Sequence, residues 1–191
     1  PTRRRLPGFV LSRLPDSDLA RIDSLGLTFA QSAPATTCKA QSLIVPMSFQ
    51  TLSSSRLRAA ALDELRARRL TSAWVVMLSH IDHGTPPSRL TEMASFIRPY
   101  CDAVFACVPA TSPSFGYLSE CRFQGLIIDL ERWAKEPERV VHYMQVFGEK
   151  AAGLASVLAV SGLASEAMFP AARAAGLTHA SARDPGRRRP A

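Results

Sequence analysis

Residues 73–78, AWVVML, and residues 103–108, AVFACV, are two short apolar runs whose starts lie 30 residues apart. Neither run alternates between polar and apolar residues, which is typical of strands buried on both faces of a parallel sheet. Similar runs start at residues 43, 125 and 155, and a less apolar one starts at residue 177. Because parallel strands need crossover connections, six such runs predict βα units in an α/β fold.

Helical patterns lie between these runs. Apolar residues recur at helical spacing over 57–65, 90–97 and 140–147, and each stretch follows serines or prolines that are typical helix start signals. Two further helices are predicted over 16–29 and 165–176. Six βα units fit either a singly wound barrel or a doubly wound open sheet. A complete eight-unit barrel typically needs about 250 residues, so a barrel built from these 191 residues would be short or incomplete.

The charge of the chain is concentrated at its ends. With 23 basic and 16 acidic residues the net charge is +7, which at first indicates a nucleic-acid or other anionic partner. Residues 6–182, however, hold 16 basic and 15 acidic groups. Arginine-rich ends of this kind are usually solvated tails. Aromatic residues make up 7% and do not alternate with basic ones, so there is no specific nucleic-acid signal.

The cysteines and the apolar segments indicate the compartment. The four cysteines, at positions 38, 101, 107 and 121, form no CxxC pair, so neither a disulfide framework nor a zinc knuckle is indicated. No run of about 18 apolar residues exists, and no apolar segment follows the basic N-terminus. We therefore expect no membrane segment and a cytoplasmic location. The common phosphate-binding loops, the GxSxG nucleophile elbow and the HExxH zinc motif are also missing from the sequence.

Functional residues of α/β folds follow the carboxyl ends of the strands. His80, Asp82 and His83 follow the 73–78 run, and two imidazoles with a carboxylate can bind a divalent metal if this loop folds back on itself. The glycine and prolines of residues 84–87 disfavour a helix that would place both histidines on one face. The alternative is a solvated turn shaped by Asp82 and Gly84.

A second pair of polar residues follows the 125–128 run. Asp129 and Glu131 are two residues apart, so on an extended chain they would share a face and could bind a metal or transfer protons. The alternative is that Asp129 caps the turn formed by residues 131–133. Both interpretations stay open at this point.

Successive segments of the chain resemble, in order, the motifs of one known family. Residues 42–52 (SLIVPMSFQTL) are similar to the family stretch vsvNlSpqqL, residues 104–118 (VFACVPATSPSFGYL) to aLDDFGtGySsLsyL, and residues 159–165 (AVSGLAS) to aEGVET. The family is the EAL domain, a cyclic-di-GMP phosphodiesterase with a modified (β/α)8 barrel. The resemblance covers residues 8–185 and implies an incomplete or modified TIM-type barrel with about six recognisable βα units. Residues 1–7 and 186–191 would then be basic tails.

The departures from the family fall on its functional positions. In the family, acidic residues and an Asn at the strand ends hold two divalent metals, and a Lys assists. Only Asp129 keeps its residue type among the matching positions, and one carboxylate cannot organise two metals, because each cation needs several hard oxygen ligands. The resemblance therefore implies a fold without the family's catalysis and without a cofactor. The matching positions, as substituted here, are Phe9, Pro46, Met77, His80, Ala106, Cys107, Ile127, Asp129 and Ser161.

The resulting expectation is a catalytically inactive EAL-like domain in bacterial signalling, which acts as a regulatory or protein-interaction module on a protein partner or as a homodimer. The alternative is a receptor that binds cyclic di-GMP or another nucleotide without hydrolysis, which the replacements at Pro46, Ile127 and Ser161 disfavour. A third hypothesis is an enzymatic cleft that uses His80, His83 and Asp129.

Two surfaces are candidates for partner contact. Residues 109–122 match the region through which EAL barrels often pair, and its apolar members are Pro113, Phe115, Tyr117 and Leu118. The helix predicted near residues 56–69 carries a basic stripe that either meets an acidic partner or is simply solvated. The stripe consists of Arg56, Arg58, Arg66, Arg68 and Arg69.

Overall fold

The computed structural model describes residues 14–32, 43–67, 74–112 and 114–182. The predictions made for both tails and for Phe9, Arg68, Arg69 and Pro113 concern residues outside these ranges.

Six strands form one parallel sheet in which each strand pairs with its neighbours in the chain. All six coincide with the predicted apolar runs, so this part of the prediction is confirmed. The strands are β1 (Leu43–Ser48), β2 (Trp74–Ser79), β3 (Ala103–Val108), β4 (Gly125–Asp129), β5 (Val157–Leu163) and β6 (His179–Ala182).

Helices occupy four of the five connections between the described strands, as predicted, and a 3-10 turn occupies the connection between β3 and β4. The predicted helix over residues 165–176 is shorter than expected, because a 3-10 turn forms its first part. The helices are α1 (Asp16–Ser32), α2 (Phe49–Ser53), α3 (Ser55–Ala67), α4 (Pro87–Ile97), α5 (Pro137–Ala151) and α6 (Phe169–Ala174). Four 3-10 turns add Arg98–Tyr100, Gly116–Cys121, Glu131–Trp133 and Glu166–Met168.

The strand order decides between the two windings that the sequence leaves open. A doubly wound sheet reverses its strand order at a switch point, whereas here the order runs from β1 to β6 without reversal. Among the described strands β1 and β6 lie at opposite edges and do not pair with each other. The sheet is therefore a singly wound half-barrel, which confirms the incomplete TIM-type barrel.

The two faces of the sheet have separate cores, because successive side chains of a strand point to opposite faces. The convex face carries Val76, Val104 and Ile128, which pack against apolar side chains of the helices. The concave face carries a smaller cluster formed by Val75, Phe105, Ile127 and Ala159. We call this cluster the concave apolar strip.

The structure corrects the proposed pairing surface in residues 109–122. Phe115 and Leu118 are each 1% exposed, so both side chains belong to the core. The ring of Phe115 contacts that of Phe147 edge-to-face, with 5.3 Å between the centroids. Tyr117 is half-buried. The prediction that Phe115 and Leu118 form part of an exposed pairing surface is therefore wrong.

The basic stripe on α3 is partly bound to the protein itself. Arg58 donates from Nη1 to the carbonyl of Leu52 at 2.6 Å, and its guanidinium lies 4.3 Å from the ring centroid of Phe96. Arg66 donates from Nε to the hydroxyl of Tyr100 at 2.8 Å. These two arginines therefore make contacts within the protein, which neither interpretation of the stripe predicts.

Candidate functional site

The carboxyl ends of β1 and β2 are joined by polar side chains. Ser48, the last residue of β1, donates its hydroxyl to Oε1 of Gln50 at 2.7 Å. The amide of Gln50 donates from Nε2 to the carbonyl of His80 at 2.9 Å. The Gln50 side chain thereby joins the start of α2 to the backbone just after β2.

His80 adopts a left-handed backbone conformation, with φ of 55°. Non-glycine residues seldom adopt this conformation, and they do so where the surrounding structure holds them. The bond from Gln50 to the carbonyl of His80 provides that restraint. The ring nitrogen Nδ1 of His80 lies 3.1 Å from the hydroxyl of Ser79. Ser48, Gln50 and His80 are therefore joined by hydrogen bonds at the mouth of the half-barrel, and we call them the polar corner.

The loop after His80 forms a turn. Thr85 donates from both its backbone N–H and its hydroxyl to the carbonyl of Asp82, at 3.2 and 2.8 Å, and Gly84 has a φ of 82°. His83 is exposed, and its Nε2 lies 3.4 Å from the hydroxyl of Thr111. Within the described ranges, no three or more His, Cys, Asp or Glu side chains are grouped as metal ligands would be. The turn interpretation is thus the one that fits this loop.

Asp129, at the end of β4, caps the turn that follows it. Its Oδ1 accepts the backbone N–H of Glu131 at 2.9 Å, and Leu130 donates its N–H to the carbonyl of Ser161 at 2.9 Å. Gly162 lies directly against this turn with φ of 80°, and a Cβ there would come within 2.7 Å of Asp129 Oδ1. The capping interpretation therefore fits the geometry.

The three residues of the hypothetical enzymatic cleft lie apart. His80 and His83 follow β2, Asp129 ends β4, and β3 lies between the two strands. Neighbouring strands are about 4.8 Å apart, so the two strand ends are separated by about 10 Å. The structure does not bring these side chains together.

The positions that match the family's ligands do not all face the concave side. Ala106 is 0% exposed and packs in the core shared with the helices, while its neighbour Cys107 points to the opposite face. Removal from water raises the pKa of the Cys107 thiol to about 12, and the negative charge of Asp129 adds to this effect. The two substituted positions therefore cannot form a pair on one face.

The concave face around Asp129 is otherwise apolar or neutral. Ile127 belongs to the concave apolar strip, Met77 packs at its margin, and Ser161 lies opposite Asp129 in the register of β4 and β5. Pro46 is exposed on the edge strand β1. Asp129 is the only acidic residue in the six described strands.

A buried carboxylate in α1 is not among the residues predicted from the sequence. Asp23 is 7% exposed and accepts hydrogen bonds at Oδ2 from the backbone N–H of Ser48 at 2.9 Å and the hydroxyl of Thr51 at 2.6 Å. Burial raises the pKa of Asp23 to about 6, and the two hydrogen bonds oppose this shift. Asp23 lies four residues from both Leu19 and Leu27, which are on the apolar side of α1, and this spacing predicts that Asp23 is buried.

Comparisons with known proteins find a structural likeness without a sequence match. No family model matches the chain, and no curated protein matches it. Among solved structures, the crystal structure of the FimX EAL domain is similar, with a TM-score of 0.66 and 14% sequence identity. The likeness covers 93% of this chain and 75% of the other. The chain therefore has an EAL-like fold. In the described part of the chain, no helix is long and apolar enough to cross a bilayer.

Proposed function

We propose that this chain is a degenerate EAL-like domain of bacterial signalling, which lacks phosphodiesterase activity and acts in the cytoplasm by contact with a protein partner. The observation that carries the proposal is the state of Asp129. This carboxylate is the one acidic group on the six described strands, and it accepts the N–H of Glu131 as a turn cap. A two-metal centre needs several hard oxygen ligands for each cation.

The surroundings of Asp129 support the same proposal. Met77 and Ile127 present apolar side chains at positions where the resemblance would place a Glu and a Lys. An apolar environment raises the free energy of placing a cation or a phosphate there. Nonpolar side chains also reach the surface along the edge strand β1, where Ile44 is 46% exposed and Pro46 is exposed, and we call this edge the rim. This rim is the contact surface that we assign to the partner.

The first experiment is isothermal titration calorimetry of the purified chain with cyclic di-GMP, with and without Mg²⁺, followed by a search for the linear hydrolysis product. We expect neither binding heat at micromolar ligand nor product. Formation of the linear dinucleotide would overturn the assignment as an inactive domain.

A second candidate function is a non-hydrolysing receptor for cyclic di-GMP or another nucleotide. The polar corner formed by Ser48, Gln50 and His80 favours it, because it places polar side chains at the mouth of the half-barrel. Binding heat without product would support the receptor. A Gln50→Ala variant should then lose most of that heat.

The partner surface has a test with a matched control. Ile44 and Leu25 are the two large apolar side chains most exposed among the described residues, at 46% and 57%, and they lie on β1 and on α1. We expect Ile44→Asp to abolish retention of a partner from cell extract, or self-association measured by sedimentation, and Leu25→Asp to preserve it. Equal behaviour of the two variants would contradict the assignment of the rim.

A further inference from the structure

Asp23 fastens α1 to the carboxyl end of the sheet. One oxygen, Oδ2, accepts both the N–H of Ser48 at the end of β1 and the hydroxyl of Thr51 in α2. The three groups come from three consecutive elements, α1, β1 and α2. Breaking this junction would release the middle of α1 from the strand end that it covers.

The surroundings of Asp23 favour a neutral carboxyl group. Its two donors are both uncharged, and α1 packs against β1, α2 and α3. Neither β1 nor α2 contains a titratable residue. Burial of an ionised carboxylate without an opposite charge costs free energy, which the uncharged acid avoids.

The charged groups that face this junction come from α3. Glu64 accepts the hydroxyl of Ser24 at 2.6 Å, and Arg58 donates to the carbonyl of Leu52. A cavity of about 60 Å³ between α1 and α3 is lined by Ser24, Thr51 and Glu64 together with apolar side chains.

The junction also connects to the polar corner at the mouth. Ser48, whose N–H is held by Asp23, donates its hydroxyl to Gln50, and Gln50 holds the carbonyl of His80. A continuous series of hydrogen bonds therefore connects Asp23 with the left-handed backbone of His80. This path lies entirely within described residues.

We propose that Asp23 is a proton-sensitive latch, which holds α1 more firmly on the mouth of the half-barrel when its carboxyl group is protonated than when it is ionised. The direction of this pH dependence follows from the linkage between proton binding by Asp23 and docking of α1. The docked helix binds the proton more tightly than the detached helix, so docking strengthens as the pH falls from about 7 towards about 4. The proposal concerns regulation of α1 and does not rest on the proposed function.

The test is hydrogen exchange of α1 by mass spectrometry between pH 5 and pH 8, corrected for chemical exchange and referred to α5. When α1 detaches, Asp23 titrates near its ordinary pKa of 3.8 instead of about 6. These two values predict about a tenfold increase in the opening constant of α1 from pH 5 to pH 8. Asp23→Asn should abolish the pH dependence. Asp18→Asn, in the first turn of the same helix, should keep it.

Two results would overturn the latch. One is an opening constant of the wild-type α1 that does not change with pH, and the other is a tenfold change that persists in Asp23→Asn. If Asp23→Asn does not fold, the wild-type protein still decides the question by carboxyl ¹³C NMR. A titration of Asp23 near pH 6 supports the latch, and one near pH 4 refutes it.

Discussion

Replacement of Asp129, the one carboxylate on the described strands, tests whether this side chain caps a turn or binds a metal. Asp129→Ala removes the acceptor of the Glu131 N–H, whose hydrogen bond measures 2.9 Å. Loss of a capping side chain costs about 1 kcal/mol, with a range of about 0.5–2 kcal/mol. The turn that it caps leads to Trp133, which is 7% exposed, so we expect the upper half of that range. Asp129→Asn keeps an acceptor oxygen and should cost about half as much or less.

Urea unfolding followed by tryptophan fluorescence measures both changes. For a chain of this size, each kcal/mol lowers the melting temperature by about 2–4 °C, so thermal unfolding provides a second readout. The order wild type, Asp129→Asn, Asp129→Ala is the expected order of decreasing stability.

The same measurement with Mg²⁺ or Mn²⁺ tests the reasoning. A ligand that binds only the folded state at about one hundred times its dissociation constant adds about 2.7 kcal/mol to stability. If Asp129 were a metal ligand, the ion would raise the urea midpoint of the wild type and not that of Asp129→Asn. A cap predicts that neither midpoint responds to the ion, so a response confined to the wild type would refute the capping interpretation and weaken the proposed function.

Two further predictions test the packing of the fold. Phe115→Ala should lower the free energy of unfolding by about 3–5 kcal/mol, because it empties a core site against Phe147, whereas the half-buried Tyr117→Ala should cost clearly less. Lower self-association of Phe115→Ala with unchanged stability would restore the pairing surface instead. Gly148→Ala should prevent α5 from docking, because its Cβ would lie 1.8 Å from the carbonyl oxygen of Ala175, and a near-native melting temperature would contradict this close packing.

The strands and most helices follow from the sequence because their signals are local. A run such as residues 103–108 contains the apolar side chains for both faces of a strand, and no distant residue is needed to recognise it. The caps are equally local, since Asp129 bonds a backbone group two residues away and Asp82 bonds Thr85 three residues away. For this reason both turns could be predicted from the sequence.

The alternation of side chains along a strand is local too, and it could have separated Ala106 from Cys107. Adjacent residues of a strand point to opposite faces, so only one of them can face the concave side. The resemblance placed both residues among the positions of the family's metal ligands. The structure places Ala106 among the helices.

Tertiary structure alone decides the remaining features. Phe115 lies in an irregular segment without periodicity, so its burial depends on Phe147, 32 residues further along the chain. Asp23 acquires its role only when α1 packs on a strand end 25 residues away, because a carboxylate on a helix is unremarkable until its surroundings exclude water. The sequence alone determined the order of the six strands and the places of most α-helices, since these depend on neighbouring residues. The open half-barrel and the environment of each polar group depend on contacts between distant residues, which only the packed structure brings together.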